Sequence, residues 1–140
     1  MARDEKLELL KRVPLFAGLG GRELERLGML ADEVDLKAGR VLMRQGERGD
    51  QMFVIIDGAV DVERDGTVIA RRGAGDILGE IALVDGGPRA ATVTLASDAR
   101  LLVVGRREFH SLMDEFPEVR LRILETLAQR IRRAEPEEIH

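Results

Sequence analysis

The residues with the clearest chemical potential lie in the segment GEIALVDGGPRAATV, which runs from Gly79 to Val93. Arg89 follows a proline and precedes two alanines, and Glu80 lies nine residues before it. An arginine in small, apolar company typically faces an anion, because its guanidinium can bind one through two charge-assisted hydrogen bonds. The alanines and glycines would let the backbone approach a ligand closely. The segment therefore predicts an anion-binding site.

The composition excludes several function classes. The chain has 140 residues, of which 44% are hydrophobic, and this length suits one domain with a core of its own. A net charge of −4 argues against a general nucleic-acid surface, and the absence of cysteine excludes disulfides and thiolate metal chemistry. The charged N-terminus is not a secretory signal, and no apolar run approaches the length of a membrane helix. We therefore expect a soluble, cytoplasmic protein without membrane insertion.

Helices at both ends enclose a region rich in β-strand signals. Apolar spacing predicts a helix over Asp4–Arg12 and a second near Gly21–Ala31. From residue 34 to residue 104, short β-branched runs alternate with glycines, as in an all-β roll. The 3.6-residue period then returns over Glu108–Phe116, and Pro117 is expected to open a last helix that ends near Arg133.

Asp-Gly dipeptides and single glycines divide the middle region into predicted strands. Phe53–Ile56 is predicted to be a strand buried on both faces, and Asp57-Gly58 and Asp65-Gly66 have the composition of tight turns. Six glycines of this region are interpreted as turn residues without ligand contact: Gly39, Gly46, Gly49, Gly58, Gly66 and Gly73.

The chain resembles the cyclic nucleotide-binding domain family, which includes regulatory domains of cAMP-dependent protein kinase, catabolite activators and cyclic nucleotide-gated channels. The resemblance rests on VPLFAGL, on AGRVLMRQGERGDQMFVIIDGAVDV and above all on GEIALVDGGPRAATV, which is similar to the family's phosphate-binding cassette, G-E-[LI]-A-L-x(5)-R-[AST]-A. It implies an α+β fold, an eight-stranded antiparallel β-roll flanked by N-terminal and C-terminal helices. It also implies a single domain over residues 1–140, with its core at residues 13–133.

The resemblance carries the family's binding roles onto the cassette. Arg89 would take the phosphate, and Glu80 would accept a hydrogen bond from the ribose 2′-hydroxyl. Amides around Ala82 and Leu83 would open a short helix with an anion-binding N-terminus. The implied cassette residues are Gly79, Glu80, Ile81, Ala82, Arg89, Ala90 and Ala91. The alternatives are that Arg89 is a surface arginine after a turn proline, and that Glu80 only stabilises a helix N-terminus.

The base side of the site is less distinctive. By position, Val62 and Leu78 match family residues near the base or sugar, and plain core residues are the alternative for both. Arg130 lies where some channel domains stack an arginine on the purine, but it also belongs to an arginine-rich, solvated helix face. Ala90 cannot make the hydrogen bond to guanine that a threonine makes in guanine-selective kinase domains. The resemblance therefore favours cAMP over cGMP as the ligand, with no cofactor.

An enzyme is the first rival interpretation. A metal-dependent β-roll needs two or three histidines with a carboxylate on its strands, whereas the chain has only His110 and His140. No Ser-His-Asp arrangement is apparent, and no general base is expected near the phosphate. We therefore expect a regulatory ligand sensor and not an enzyme.

The partners follow from the same resemblance. Cyclic nucleotide binding is expected to move the C-terminal helix, which would act on an effector domain or partner protein, or join two copies as a homodimer. The chain has no helix-turn-helix after its last helix, so direct DNA binding is not expected. A regulatory fragment of a larger transcription factor, channel, kinase or acyltransferase is one alternative, and a degenerate domain that binds nothing is another.

Overall fold

A computed structural model describes residues 2–134 of the chain. The helices in this range are α1 (Arg3–Lys11), a 3₁₀ helix (Pro14–Phe16), α2 (Gly21–Leu30), α3 (Ala82–Asp85), α4 (Arg106–Glu115) and α5 (Glu118–Ala134). The strands are β1 (Asp32–Leu36), β2 (Val41–Met43), β3 (Gln51–Asp57), β4 (Ala59–Arg64), β5 (Thr67–Gly73), β6 (Ile77–Leu78), β7 (Thr92–Leu95) and β8 (Ala99–Gly105).

The strands form two four-stranded sheets. The first sheet has the order β1-β8-β3-β6, the second has the order β2-β7-β4-β5, and every pairing between neighbours is antiparallel. The cassette helix α3 interrupts the passage from β6 in the first sheet to β7 in the second. This is the eight-stranded antiparallel β-roll with flanking helices that the sequence predicts.

The first sheet is buried on both faces. Phe53 and Ile55 point into the roll, where they share an apolar cluster with Val60 of the second sheet. Met52 and Val54 point the other way, into a cluster formed with the helices. The four residues Met52–Ile55 are at most 4% exposed, which confirms a doubly buried strand one residue earlier than the predicted Phe53–Ile56, since Ile56 is only partly buried.

The helices cover the outer face of the first sheet. Leu27 of α2, Phe109 of α4 and Val119 of α5 are fully buried there. An ion pair joins α5 to α2, because Arg122 donates to the carboxylate of Glu23, which is only 6% exposed. The first turns of α5 are therefore anchored on the N-terminal helices.

The turn and helix signals of the sequence hold with small shifts. Asp65 and Gly66 have φ values of 53° and 80° and connect β4 to β5 directly, as a two-residue hairpin of this composition should. Helix α4 begins at Arg106, two residues before the predicted start, because Gly105 ends β8 in an extended conformation and serves as the N-cap. Within residues 2–134, no helix has the length and hydropathy of a membrane span.

Candidate functional site

A cavity of about 560 Å³ lies between the cassette and the second sheet. Its wall on the sheet is a row of neighbouring residues across four strands, in which Met43 pairs with Val93, Val93 with Val62, and Val62 with Ala70. Nine of the ten site residues expected from the sequence line this cavity: Val62, Leu78, Gly79, Glu80, Ile81, Ala82, Arg89, Ala90 and Ala91. The tenth, Arg130, belongs to α5, and its side chain lies outside the described part of the structure.

Arg89 provides a positive charge in the part of the cavity wall that the cassette forms. Its Nη2 donates to the carbonyl oxygen of Gln51 at 2.6 Å, and its Nη1 lies 3.4 Å from the carbonyl oxygen of Gly79. None of the ion pairs between described residues involves Arg89. Burial lowers the pKa of the Arg89 guanidinium below its ordinary value, while the nearby Asp50 carboxylate opposes this shift. The charge is thus held by neutral carbonyls, which suits it to an anionic ligand.

Two glycines make room for the Arg89 side chain. Gly79 has a φ of +72°, and a Cβ atom there would lie 2.3 Å from Nη1 of Arg89. A Cβ atom on Gly49 would lie 2.6 Å from both Nε and Cζ of the same guanidinium. Both contacts are far below van der Waals distance, so any other residue at either position would displace the guanidinium.

The interpretation of Gly49 as a turn glycine is therefore wrong, because a different requirement excludes a side chain at this position. Gly39, Gly46, Gly58 and Gly66 do have positive φ values, as turn glycines often do. Gly49 does not have a positive φ, and it is small because Arg89 lies against it. Only the spatial neighbour reveals this requirement, since Gly49 and Arg89 are forty residues apart.

The loop between β2 and β3 fixes the backbone of Arg89. The Arg89 amide donates to the Glu47 carbonyl at 2.8 Å, and its carbonyl accepts from the Gly46 amide at 2.9 Å. The Gly49 amide donates to the Gly87 carbonyl at 2.9 Å. These three backbone hydrogen bonds join the loop to the cassette. The sequence suggested no site role for this loop, although GERGD lies within a segment that supports the family resemblance.

The short helix predicted in the cassette is present as α3, but its first amides are engaged. The Ala82 amide donates to the Gly79 carbonyl at 3.2 Å, and the Leu83 amide donates to the Glu80 carbonyl at 3.1 Å. The tight turn before α3 uses both N–H groups in this structure, and the expectation that these two amides contribute to the anion site stays a prediction.

Glu80 lines the cavity and also contacts the N-terminal region. Its Oε2 lies 3.4 Å from the amide nitrogen of Leu15 in the 3₁₀ helix, a long hydrogen bond. The carboxylate is an acceptor at the edge of the cavity, as a hydroxyl-binding role requires. It also joins the cassette to the 3₁₀ helix, which was not foreseen from the sequence.

The end of the cavity at β5 has apolar residues that the sequence did not single out. In the pairing of β4 with β5, Val62 is opposite Ala70 whereas Glu63 is opposite Val68, so Ile69 is an extra, bulged residue. The bulge brings two consecutive side chains, Ile69 and Ala70, to the same cavity. Ile69 is 49% exposed and widens the apolar wall formed by Val62.

Two further arginines line the cavity and were also missed. Arg64 of β4 donates through Nε to the Ala90 carbonyl at 3.1 Å, and Arg72 belongs to β5. Alternation along β4 places Arg64 on the same face as Val62, so the sequence contained a signal for it. Among the described residues, no three His, Asp or Glu side chains come together as a metal site would need.

The roll and the cavity define a class of protein, an antiparallel β-roll domain with a pocket under an arginine-bearing cassette. The model of the cyclic nucleotide-binding domain family matches residues 33–116, which is more than half of the chain. The chain belongs to this family of domains, which regulators carry.

Known proteins support the assignment. The chain is 37% identical over 123 residues to a cyclic nucleotide-gated potassium channel of Rhizobium etli, covering 88% of this chain and 34% of the channel. It is 30% identical over 131 residues to the CRP-like cAMP-activated global transcriptional regulator of Mycobacterium tuberculosis, covering 90% of this chain and 58% of the regulator. The chain thus spans between about a third and three fifths of the length of these relatives.

A solved structure agrees with the fold. The N-terminal domain of a transcriptional regulator from Streptomyces coelicolor A3(2) superposes with a TM-score of 0.82 and is 32% identical. The match covers 93% of this chain and 94% of that domain.

Proposed function

We propose that this domain binds a 3′,5′-cyclic nucleotide in the cavity under the cassette, with cAMP preferred over cGMP, and that it acts as a sensor and not as an enzyme. The observation that carries the proposal is the partly buried guanidinium of Arg89, which donates to the backbone carbonyls of Gln51 and Gly79 and has no ion pair with a described residue, in a cavity that Glu80 also lines. A cyclic phosphate would supply a negative charge at hydrogen-bonding distance from this guanidinium. The name of the mycobacterial relative, a cAMP-activated regulator, supports the choice of ligand.

The remaining cavity residues suit the other parts of the ligand. The Glu80 carboxylate would accept a hydrogen bond from the ribose 2′-hydroxyl, and its position in the cavity wall supports this role. The purine would lie against the apolar wall of Val62, Ile69 and Leu78. Ala90 removes the hydroxyl that would favour guanine, so we infer a preference for cAMP.

We infer that α5 is the output element. Val119 and Ile123 anchor its first turns, whereas Leu121, Leu124 and Ile131 are 54–61% exposed. An exposed apolar face on a helix gains by docking, and a ligand that completes the docking surface would shift α5 towards the closed position.

The same face of α5 also suits a second copy of the chain. Leu121, Leu124, Ala128 and Ile131 follow the 3-4-3 spacing of a coiled-coil seam, and each is exposed. We therefore propose a homodimer through α5, to be checked by sedimentation of the full chain and of the Leu121→Lys/Leu124→Lys double variant. The double variant should be monomeric, and a monomeric full chain would leave α5 with the lid role alone.

Isothermal titration calorimetry with cAMP, cGMP and 5′-AMP tests the binding function. We expect binding of cAMP, weaker binding of cGMP and very weak binding of 5′-AMP, whose open phosphate is a dianion beside Glu80. Arg89→Ala should reduce cAMP affinity about thirtyfold or more, since loss of a charged partner costs about 2–5 kcal/mol. Arg107→Ala, an exposed arginine outside the cavity, is the matched control and should bind as wild type does. Equal affinities of the Arg89→Ala variant and wild type would refute the site.

A further inference from the structure

The cassette helix α3 is a single turn whose C-terminal carbonyls need partners from elsewhere. The Ala82 carbonyl accepts from the Gly86 amide at 3.0 Å, where the chain leaves the helix with a φ of +61°. The next amide, that of Gly87, donates instead to Oδ1 of Asp85 at 2.8 Å. The carbonyl of Leu83 is therefore left without the intrahelical partner that a longer helix would supply.

His110 of α4 supplies that partner. Its Nε2 lies 3.1 Å from the Leu83 carbonyl oxygen. A carbonyl only accepts hydrogen bonds, so Nε2 must carry the proton and donate. The neighbouring Phe109 ring stands at 89° to the imidazole with the centroids 6.5 Å apart, and this contact holds the ring in place.

Two arginine side chains, those of Arg48 and Arg106, lie at the same end of α3 as His110. Arg48 donates through Nε to the Gly86 carbonyl at 3.2 Å. The Arg106 guanidinium lies over Gly86, where a Cβ atom would be 3.1 Å from its Nε. Arg106 and His110 are four residues apart and so share one face of α4. Basic side chains at a helix C-terminus bind its last carbonyls and oppose its negative end.

We propose that His110 is a positioning residue for the nucleotide site. It holds α3 by its C-terminal end, and α3 begins at Ala82, which lines the cavity directly after Gly79 and Glu80. Without this bond the one-turn helix loses a partner that keeps it against α4, and the cassette residues lose their placement. The inference rests on the proposed function for its ligand, and it adds a residue outside the cavity to the determinants of affinity.

The test compares His110→Ala and His110→Gln in the full chain. Gln retains an N–H donor at a similar reach, whereas Ala removes it. Loss of one hydrogen bond should weaken cAMP binding about two- to tenfold in His110→Ala, and His110→Gln should recover most of that loss. Ser111→Ala, at the next and exposed position of α4, is the control and should bind as wild type does.

Hydrogen exchange of the ligand-free protein tests the positioning separately from ligand binding. The amides of Asp85 and Gly86, which donate to the Ile81 and Ala82 carbonyls, should exchange faster in His110→Ala and near the wild-type rate in His110→Gln. If His110→Ala matches wild type in affinity and in exchange, or if His110→Gln is as weak as His110→Ala, the positioning role is wrong. A wild-type chain that binds no cyclic nucleotide would refute the proposed function, and the exchange rates would still decide whether His110 holds α3.

Discussion

Arg89 lies in the cavity wall, and no carboxylate of the described residues forms an ion pair with it. Two carbonyl oxygens, of Gln51 and Gly79, orient the guanidinium, and burial lowers its pKa. The shift leaves the group charged at neutral pH, because arginine ionises far above that range. Its affinity for an anion should therefore not change with pH between about 6 and 8 through any titration of Arg89 itself.

Glu80 should discriminate between ribose and deoxyribose ligands. Glu80→Gln replaces a charged acceptor by a neutral one, so cAMP should lose more affinity than 2′-deoxy-cAMP, which lacks the hydroxyl. Calorimetry should measure the affinities of cAMP and 2′-deoxy-cAMP for the wild type and for Glu80→Gln, so that the loss caused by the substitution can be compared between the two ligands. Equal losses for the two ligands would show that Glu80 acts only through structure, for example through its contact with Leu15.

Ala90 should control the choice between adenine and guanine. Ala90→Thr adds a hydroxyl to the cavity wall, and a guanine amino group in the syn conformation could donate to it. One neutral hydrogen bond is worth about 0.5–1.5 kcal/mol, so the ratio of cGMP to cAMP affinity should rise about two- to tenfold. An unchanged ratio in competition binding would mean that the base is held away from this position.

At the scale of elements, the cassette lines the cavity directly, whereas the loop between β2 and β3 supports the site by holding Arg89. Its carbonyl and amide groups hold the backbone of Arg89, and its Gly49 provides space for the side chain. The bulge in β5 acts similarly, because it turns Ile69 to the cavity that Ala70 already lines. The site is thus assembled from the cassette, the loop that supports Arg89 and one face of the second sheet, which come from segments distant in sequence.

Gly49→Ala should weaken cyclic nucleotide binding without unfolding the chain. The new Cβ would lie 2.6 Å from the guanidinium carbon of Arg89 and force it aside. The loss should be about tenfold or more, the scale of one hydrogen bond to a charged group. Gly21→Ala is the control, because no atom lies within 4 Å of its added Cβ. Wild-type affinity in Gly49→Ala would show that the guanidinium need not occupy its present place.

At the scale of the whole molecule, α5 is packed in the helical layer at its start and has exposed apolar residues further along. Its first turns belong to the core through Val119 and Ile123, and Arg122 pairs with the buried Glu23 of α2. Its later turns expose Leu124 and Ile131. The helix is therefore fixed at its start and available for docking further along.

Ligand binding should protect α5 from hydrogen exchange. We expect amides of residues 119–133 to gain protection on addition of cAMP, because closure of the helix over the ligand suppresses local opening. A chain truncated after Leu127 keeps the anchoring residues and should bind cAMP more weakly than the full chain. Protection confined to residues 79–93, together with wild-type affinity of the truncated chain, would mean that capture needs no lid.

The sequence by itself determined the order of the helices around a β-rich middle region, and the family resemblance implied the eight-stranded roll and nine of the residues that line the cavity. Periodicity separates the helices from the strands, and turn pairs such as Asp65-Gly66 set the hairpins, because these are local properties of the chain. The cassette residues could be named together because they occupy one continuous segment, Gly79 to Val93.

Only the tertiary structure decided what surrounds that segment. Gly49, Ile69 and His110 are remote from the cassette in sequence, and their roles depend on contacts that no local pattern encodes. The amides of Ala82 and Leu83 also depend on the fold, since a helix start predicts available N–H groups whereas the turn before α3 engages both of them. Local preferences act between near neighbours along the chain, whereas the shape and charge of the site arise where distant segments pack.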